Sequence, residues 1–202
     1  MTATGKRVWI VLTLGTLLAG GLFGVATTQS RTSLLAELYA AEVPAEGTET
    51  FYGLPLNWEN AQQFATWYDE IELTSKEAKV LDQALSPLQA PCCDDNPLAK
   101  CCCEVGGLIC NIVRTARGLG KYLVRSGYAA EQVTQAMDQW LRFIHGDYYV
   151  AKALVARKEN PLRYGLFKPE NGACYRGLCN VALKAGGCGG MGKEVLVEPQ
   201  KG

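Results

Sequence analysis

The chain has 202 residues, of which 48% are hydrophobic and 20% charged, with a formal net charge of zero. That balance excludes wholesale disorder and a strongly basic nucleic-acid binder. One histidine stands against nine cysteines, which excludes metal sites built on several imidazoles and leaves sulfur as the reactive element.

Lys6 and Arg7 precede an uncharged run of 19 residues, Val8 to Ala26. As a helix it nearly spans the roughly 30 Å hydrocarbon layer, and the flanking positive charges keep the amino end in the cytoplasm. Residues 1–27 are therefore expected to be a membrane anchor, or a signal segment cleaved near Gly24 and Ala26. Either way the body lies outside the cytoplasm. Leu17-Leu18-Ala19-Gly20 is followed by Gly21 rather than by a cysteine that could carry lipid. Residues 28–57 read as a polar spacer with one short helical segment over Ser33–Ala40.

The region 58–164 is expected to be a cysteine-rich helical domain. Phe64, Trp67, Tyr68 and Ile71 recur at helical spacing within Trp58–Leu73. Thr74-Ser75-Lys76-Glu77 has the form of a capping box and opens a helix to Leu85, ended by Pro87 and Pro91. Leu108, Ile112, Ala116, Leu119 and Leu123 form the stripe of a helix over Leu108–Arg125, with Gly127 as its left-handed stop. Val133, Ala136, Met137, Trp140, Leu141 and Ile144 mark a helix over Ala130–Ile144, expected to pack antiparallel to the preceding one. Tyr148–Arg157 adds a shorter segment. Strand alternation is confined to Glu194–Val197. The expected fold is all-α: a small helical bundle with an N-terminal membrane helix and an irregular, Cys/Gly-rich C-terminal tail over 165–202. That tail buries too little to be ordered without cross-links or a metal.

Charge is distributed unevenly. Residues 8–104 carry 13 acids and 4 bases, and residues 105–202 carry 14 bases and 7 acids. Either the two halves pack and neutralise one another, or the second half meets an acidic partner.

The cysteines fall into two groups: Cys92, Cys93, Cys101, Cys102, Cys103 and Cys110, then Cys174, Cys179 and Cys188. If the helix that contains Cys110 reaches back to Cys103, the two share a polar face with Arg114, Arg117 and Lys121. They then lie about 10 Å apart along the axis, too far for a mutual disulfide. Arg114 beside Cys110 would favour its thiolate, while a position inside the helix gives little help from the dipole. Three uses of these sulfurs remain open: a soft-metal site, structural disulfides, or redox-active thiols. All-sulfur ligation suits copper(I), zinc or an iron–sulfur cluster, with all nine cysteines as candidate ligands. The chain has no Cys-x-x-Cys pair, which counts against a zinc ribbon and a thioredoxin-type site. His145-Gly146-Asp147 reads as a capping and turn feature, Asp94-Asp95 as solvated loop charge, and Trp58, Trp67 and Trp140 as core.

Pro91-Cys92, further cysteines, and Cys110-Asn111-Ile112-Val113 opening a helix that stops at Gly127 together resemble the bacterial PCYCGC-motif proteins. More distantly, the helix–Ser-Gly–helix unit is similar to the thiol-bearing helical domain of cytochrome c maturation proteins. The resemblance covers about Leu85 to Ile144. It implies an extracytoplasmic setting and singles out Cys92 and Cys110 as the matching positions. The sequence departs from that pattern at Cys93-Asp94-Asp95-Asn96, at Val113 where a second cysteine is usual, and in having no lipidated cysteine. The expected function is a membrane-tethered, cysteine-rich module binding a soft metal ion or cluster through thiolates. The alternatives are a thiol–disulfide protein in extracytoplasmic protein maturation, with Cys110 reactive and a redox protein as its partner, and a disulfide-stabilised interaction domain. No nucleic-acid partner is expected.

Overall fold

A computed structural model describes residues 31–93, 96–100 and 109–199. Residues 31–42 are helical and form α1. They are followed by α2 (Asn60–Glu70), α3 (Ser75–Leu85), α4 (Asn111–Arg125), α5 (Ala130–Ile144) and α6 (Gly146–Ala156). Short 3-10 turns occupy Leu98–Lys100, Pro161–Tyr164 and Leu183–Ala185. The expected all-helical bundle is what forms, and no strand occurs among the described residues. The expected membrane segment, 8–26, lies outside them. No described helix is long and apolar enough to cross a membrane.

Helix α4 is the centre of the bundle. Twelve of its 15 residues are buried, including Asn111, Arg114, Thr115 and Arg117. Helices α2, α3 and α5 pack against it, while α6 packs on α5. Its two inner glycines set how closely they approach. A Cβ on Gly118 would stand 1.7 Å from the Phe64 carbonyl oxygen, so α2 and α4 meet backbone to backbone there. A Cβ on Gly120 would stand 2.7 Å from Met137 Sδ and 2.8 Å from Leu81 Cδ1, where α3 and α5 close in. Thr115 Oγ1 accepts from Trp140 Nε1 at 2.9 Å. Gly120 facing Met137 while Thr115 faces Trp140 makes α4 and α5 antiparallel, as their short connection requires. Gly127 in that connection has φ +88, the left-handed value expected of it.

Helix α3 begins at the expected capping box. The Glu77 amide donates to Thr74 Oγ1 at 3.3 Å, and the Thr74 amide donates to Glu77 Oε2 at 2.7 Å. Helix α5 matches its expected bounds. Helix α2 is shorter than the expected Trp58–Leu73, because the Ile71 backbone turns extended. Helix α6 starts at Gly146, two residues early, and ends one residue before Arg157.

Three expectations are corrected. The expected spacer is part of the body over its described residues. Leu38 of α1 is buried with Val150, Ala151 and Leu154 of α6, and Leu56 and Tyr52 enter the main core. Apolar residues spaced too sparsely to look like core in the sequence are sufficient once another surface supplies the rest. The helix expected over Leu108–Arg125 starts at Asn111 instead, with Cys110 as its N-cap in an extended conformation. Glu194–Val197 is not a strand. The Val195 amide donates to Gln62 Oε1 at 2.8 Å, and Leu196 exchanges bonds with Leu183 and Gly189, so these donors are spent on separate loops.

The two charge halves do neutralise one another in part. Arg114–Asp69, Arg125–Glu77, Arg142–Glu42 and Arg157–Glu37 each join an acid of the first half to a base of the second. The half-exposed pairs among them contribute about 1 kcal/mol or less each, so they orient the halves more than they stabilise them.

Replacing Gly118 with alanine should lower unfolding free energy by about 3 kcal/mol or more, because backbone rather than a flexible side chain blocks the new methyl. Gly127→Ala, with open space around it, should lose only about 1 kcal/mol from its positive φ. Urea unfolding of both variants checks the difference, and equal losses would contradict the close approach of α2 and α4.

Candidate functional site

The cysteines are positioned by turns and caps. Cys92 and Cys93 occupy the turn after Pro91. Both are fully buried, with Sγ atoms 3.7 Å apart. Cys110 is fully buried at the amino end of α4. Cys188 is fully buried in the tail, whereas Cys174 and Cys179 are half-buried with Sγ atoms 2.7 Å apart. Cys101, Cys102 and Cys103 lie outside the described residues, as does Asp94-Asp95.

The tail is seated on the Cys92-Cys93 turn by main-chain bonds. The Gly172 amide donates to the Cys93 carbonyl and the Cys174 amide to the Cys92 carbonyl, each at 2.8 Å. Gly172 is needed there, because a Cβ would stand 1.9 Å from the Cys93 oxygen. Asn111, the first residue of α4, holds the other side of the tail. Its amide donates to the Gly190 carbonyl at 2.9 Å, and its Nδ2 donates to the carbonyls of Gly189 at 2.7 Å and Glu194 at 3.2 Å. Within the tail, the Cys188 amide donates to Leu178 and the Gly190 amide to the Cys179 carbonyl. The Cys92-Cys93 turn, the Cys110 cap and the segments bearing Cys174, Cys179 and Cys188 are thus tied together at one end of α4. Among the described residues, no three histidine, cysteine or carboxylate side chains come close enough to hold a metal ion together. A complete ligand set there would have to draw on Cys101 to Cys103.

Two electrostatic expectations change. Arg114 does not turn to Cys110. Its guanidinium donates to Asp69, to the Gly192 carbonyl and to Asn111 Oδ1, and it pairs with the Asp69 carboxylate. Arg117 donates to the Leu98 carbonyl at 3.0 Å and Lys121 to the Tyr68 carbonyl at 2.6 Å. Each of the three bases thus donates to a backbone carbonyl. Burial pulls the Lys121 ammonium pKa down. Conversely, Cys110 is at the helix amino end rather than inside the helix. Its side chain makes no capping hydrogen bond there.

The glycine run 186–190 is no phosphate cradle. A Cβ on Gly187 would stand 2.3 Å from the Val181 oxygen, and Gly189 lies under Leu183 and Asn111. These glycines let the tail fold tightly on α4. Asn111 and Gly172 are the positioning residues that sequence reasoning assigned no role. Asn111 stands in the Cys-Asn-x-x pattern, and Gly172 is one glycine of the irregular tail. Comparison with protein families, curated proteins and solved structures finds no match for this chain.

His145 caps the junction of α5 and α6, as expected of it. Burial pulls its pKa down to about 4. The Asp147 carboxylate opposes this shift and the Arg176 guanidinium adds to it. Asp147 accepts a hydrogen bond from Tyr39.

Two predictions arise here. The folded protein keeps His145 neutral to about pH 4, while the unfolded chain protonates it near 6.5. Stability should therefore fall by about 3 kcal/mol as pH drops from 6.5 to 4. His145→Gln should remove that component from the pH profile of urea unfolding, and an unchanged profile would refute it. Asn111→Ala removes the donor to two tail carbonyls and should cost about 1–3 kcal/mol. It should also accelerate maleimide labelling of Cys188 under native conditions, whereas an unchanged rate would show that the tail is held by other contacts.

Proposed function

We propose that this chain is an extracytoplasmic, membrane-tethered cysteine-rich helical module that binds a soft metal ion or cluster through thiolates. The observation that carries the reading is the seating of the tail on the Cys92-Cys93 turn and on Asn111, which gathers separate cysteine-bearing segments at one end of α4. Such convergence from distant parts of the chain is what a thiolate site needs and what separate surface disulfides do not. Cys110 stands at the helix amino end, next to the Asn111 that holds the tail. Burial of Cys92, Cys93, Cys110 and Cys188 keeps competing oxygen ligands away. Cys101, Cys102 and Cys103 complete the proposed ligand set. Copper(I), zinc and an iron–sulfur cluster all accept ligation by sulfur alone. The tether is the apolar run Val8–Ala26, and the resemblance to PCYCGC-motif proteins supports the same setting.

Full reduction followed by titration with copper(I) or zinc against a competing chelator tests the proposal. Bound metal should shield cysteines of the first group from alkylation. Cys110→Ser should weaken binding by about tenfold or more, since even outer-shell partners of a metal ligand carry that much. If neither metal protects any thiol, and protein isolated without oxygen contains no iron and sulfide, the proposal is wrong.

A further inference from the structure

Cys174 and Cys179 differ from the other described cysteines. Cys92, Cys93, Cys110 and Cys188 are fully buried, but Cys174 and Cys179 reach the surface on a turn whose residue Tyr175 is 64% exposed. Their Sγ atoms stand 2.7 Å apart. A disulfide of about 2.05 Å needs a shift of less than about 1 Å from there. The backbone of the turn holds the two residues in that relation. The Arg176 amide donates to Gly172, Gly177 to the Cys174 carbonyl and Leu178 to Ala173, and Gly177 takes φ +74 to complete the turn. Outside the turn, the Cys174 amide is anchored on Cys92 and the Cys179 carbonyl on Gly190. Four residues lie between the two cysteines. A cross-link over so short a loop restricts the unfolded chain little, so it makes a poor structural staple. A turn already closed by its own hydrogen bonds can hold the pair reduced or oxidised without moving.

We propose that Cys174 and Cys179 form a dithiol–disulfide exchange site whose co-reactant is a disulfide, carried by a small thiol compound or by another protein. One thiolate of the pair attacks a sulfur of the incoming disulfide. A mixed disulfide forms and the first leaving thiolate departs. The second cysteine then attacks the mixed disulfide, the intramolecular bond forms and the second thiolate departs. The pair loses two electrons and two protons, and the incoming disulfide gains them as two thiols. The step requires no metal. It concerns two sulfurs that the buried part of the proposed metal site does not need, so either proposal can fail alone.

The sequence provides a direct readout. Trypsin should cleave after Arg163, Arg176 and Lys184, with Lys168 protected by Pro169. The two cysteines therefore fall on separate peptides, 164–176 and 177–184. Full-length protein, reduced, stripped of metal with chelators and then treated with glutathione disulfide, should yield these peptides joined and lighter by two hydrogens than their sum. Reduction should separate them. Cys179→Ser should retain glutathione on Cys174 as a stable mixed disulfide, and Cys174→Ser should retain it on Cys179. Cys188→Ser should leave the linkage intact. The proposal is overturned if both peptides carry the alkylating label after oxidation. Linkage of either cysteine to a third one, or loss of the linkage in Cys188→Ser, overturns it equally.

Discussion

An enclosed helix must have its polar side chains satisfied by the surrounding protein, because water cannot reach them. Helix α4 carries Asn111, Arg114, Thr115 and Arg117 into the interior. Each is answered from outside the helix. Asn111 is answered by the tail, Arg114 by Asp69 and Gly192, Thr115 by Trp140 and Arg117 by the Leu98 carbonyl. This obligation gathers the structure around α4. It also explains why a glycine-rich tail with little apolar surface of its own is ordered. The tail supplies carbonyls that a buried amide needs, and receives in return a fixed place against the core.

The thiol chemistry depends on the same arrangement. The amino end of α4 brings Cys110, the Asn111 side chain and the tail together, and the tail in turn rests on the Cys92-Cys93 turn. Gly172 permits the approach to that turn, and Gly118 permits the approach of α2 to α4. Two positions without side chains thus control the two closest contacts in the molecule that bear on the site. The described cysteines divide into a buried set and a half-buried pair. Burial favours holding an ion away from water and competing ligands. Exposure on a preformed turn favours exchange with another molecule.

The ion pairs belong to a different level of the structure. Four of them join acids of the first half to bases of the second. The uneven charge seen along the chain is therefore in part an internal complementarity. Arg114 shows why such a reading needs coordinates. On a helical wheel it stands beside Cys110, yet its long side chain extends to Asp69 on α2.

Helices whose signals are local can be read directly from neighbouring residues. The Thr74–Glu77 capping box, the Ala130–Ile144 stripe and the Gly127 stop are each written within a few residues, and each appears as read. The sequence also showed that the cysteines form two groups. The tertiary structure alone decided what those groups do to one another. That Cys110 caps α4 rather than lying within it depends on Asn111 being taken up by the tail. That residues 31–57 join the body depends on apolar positions too sparse to have a period. That Cys174 faces Cys179 depends on a turn held by carbonyls. Periodicity and capping are properties of neighbouring residues and survive in one dimension. The seating of a tail on a distant turn is a match between two surfaces, and neither half of the match is visible until both are folded.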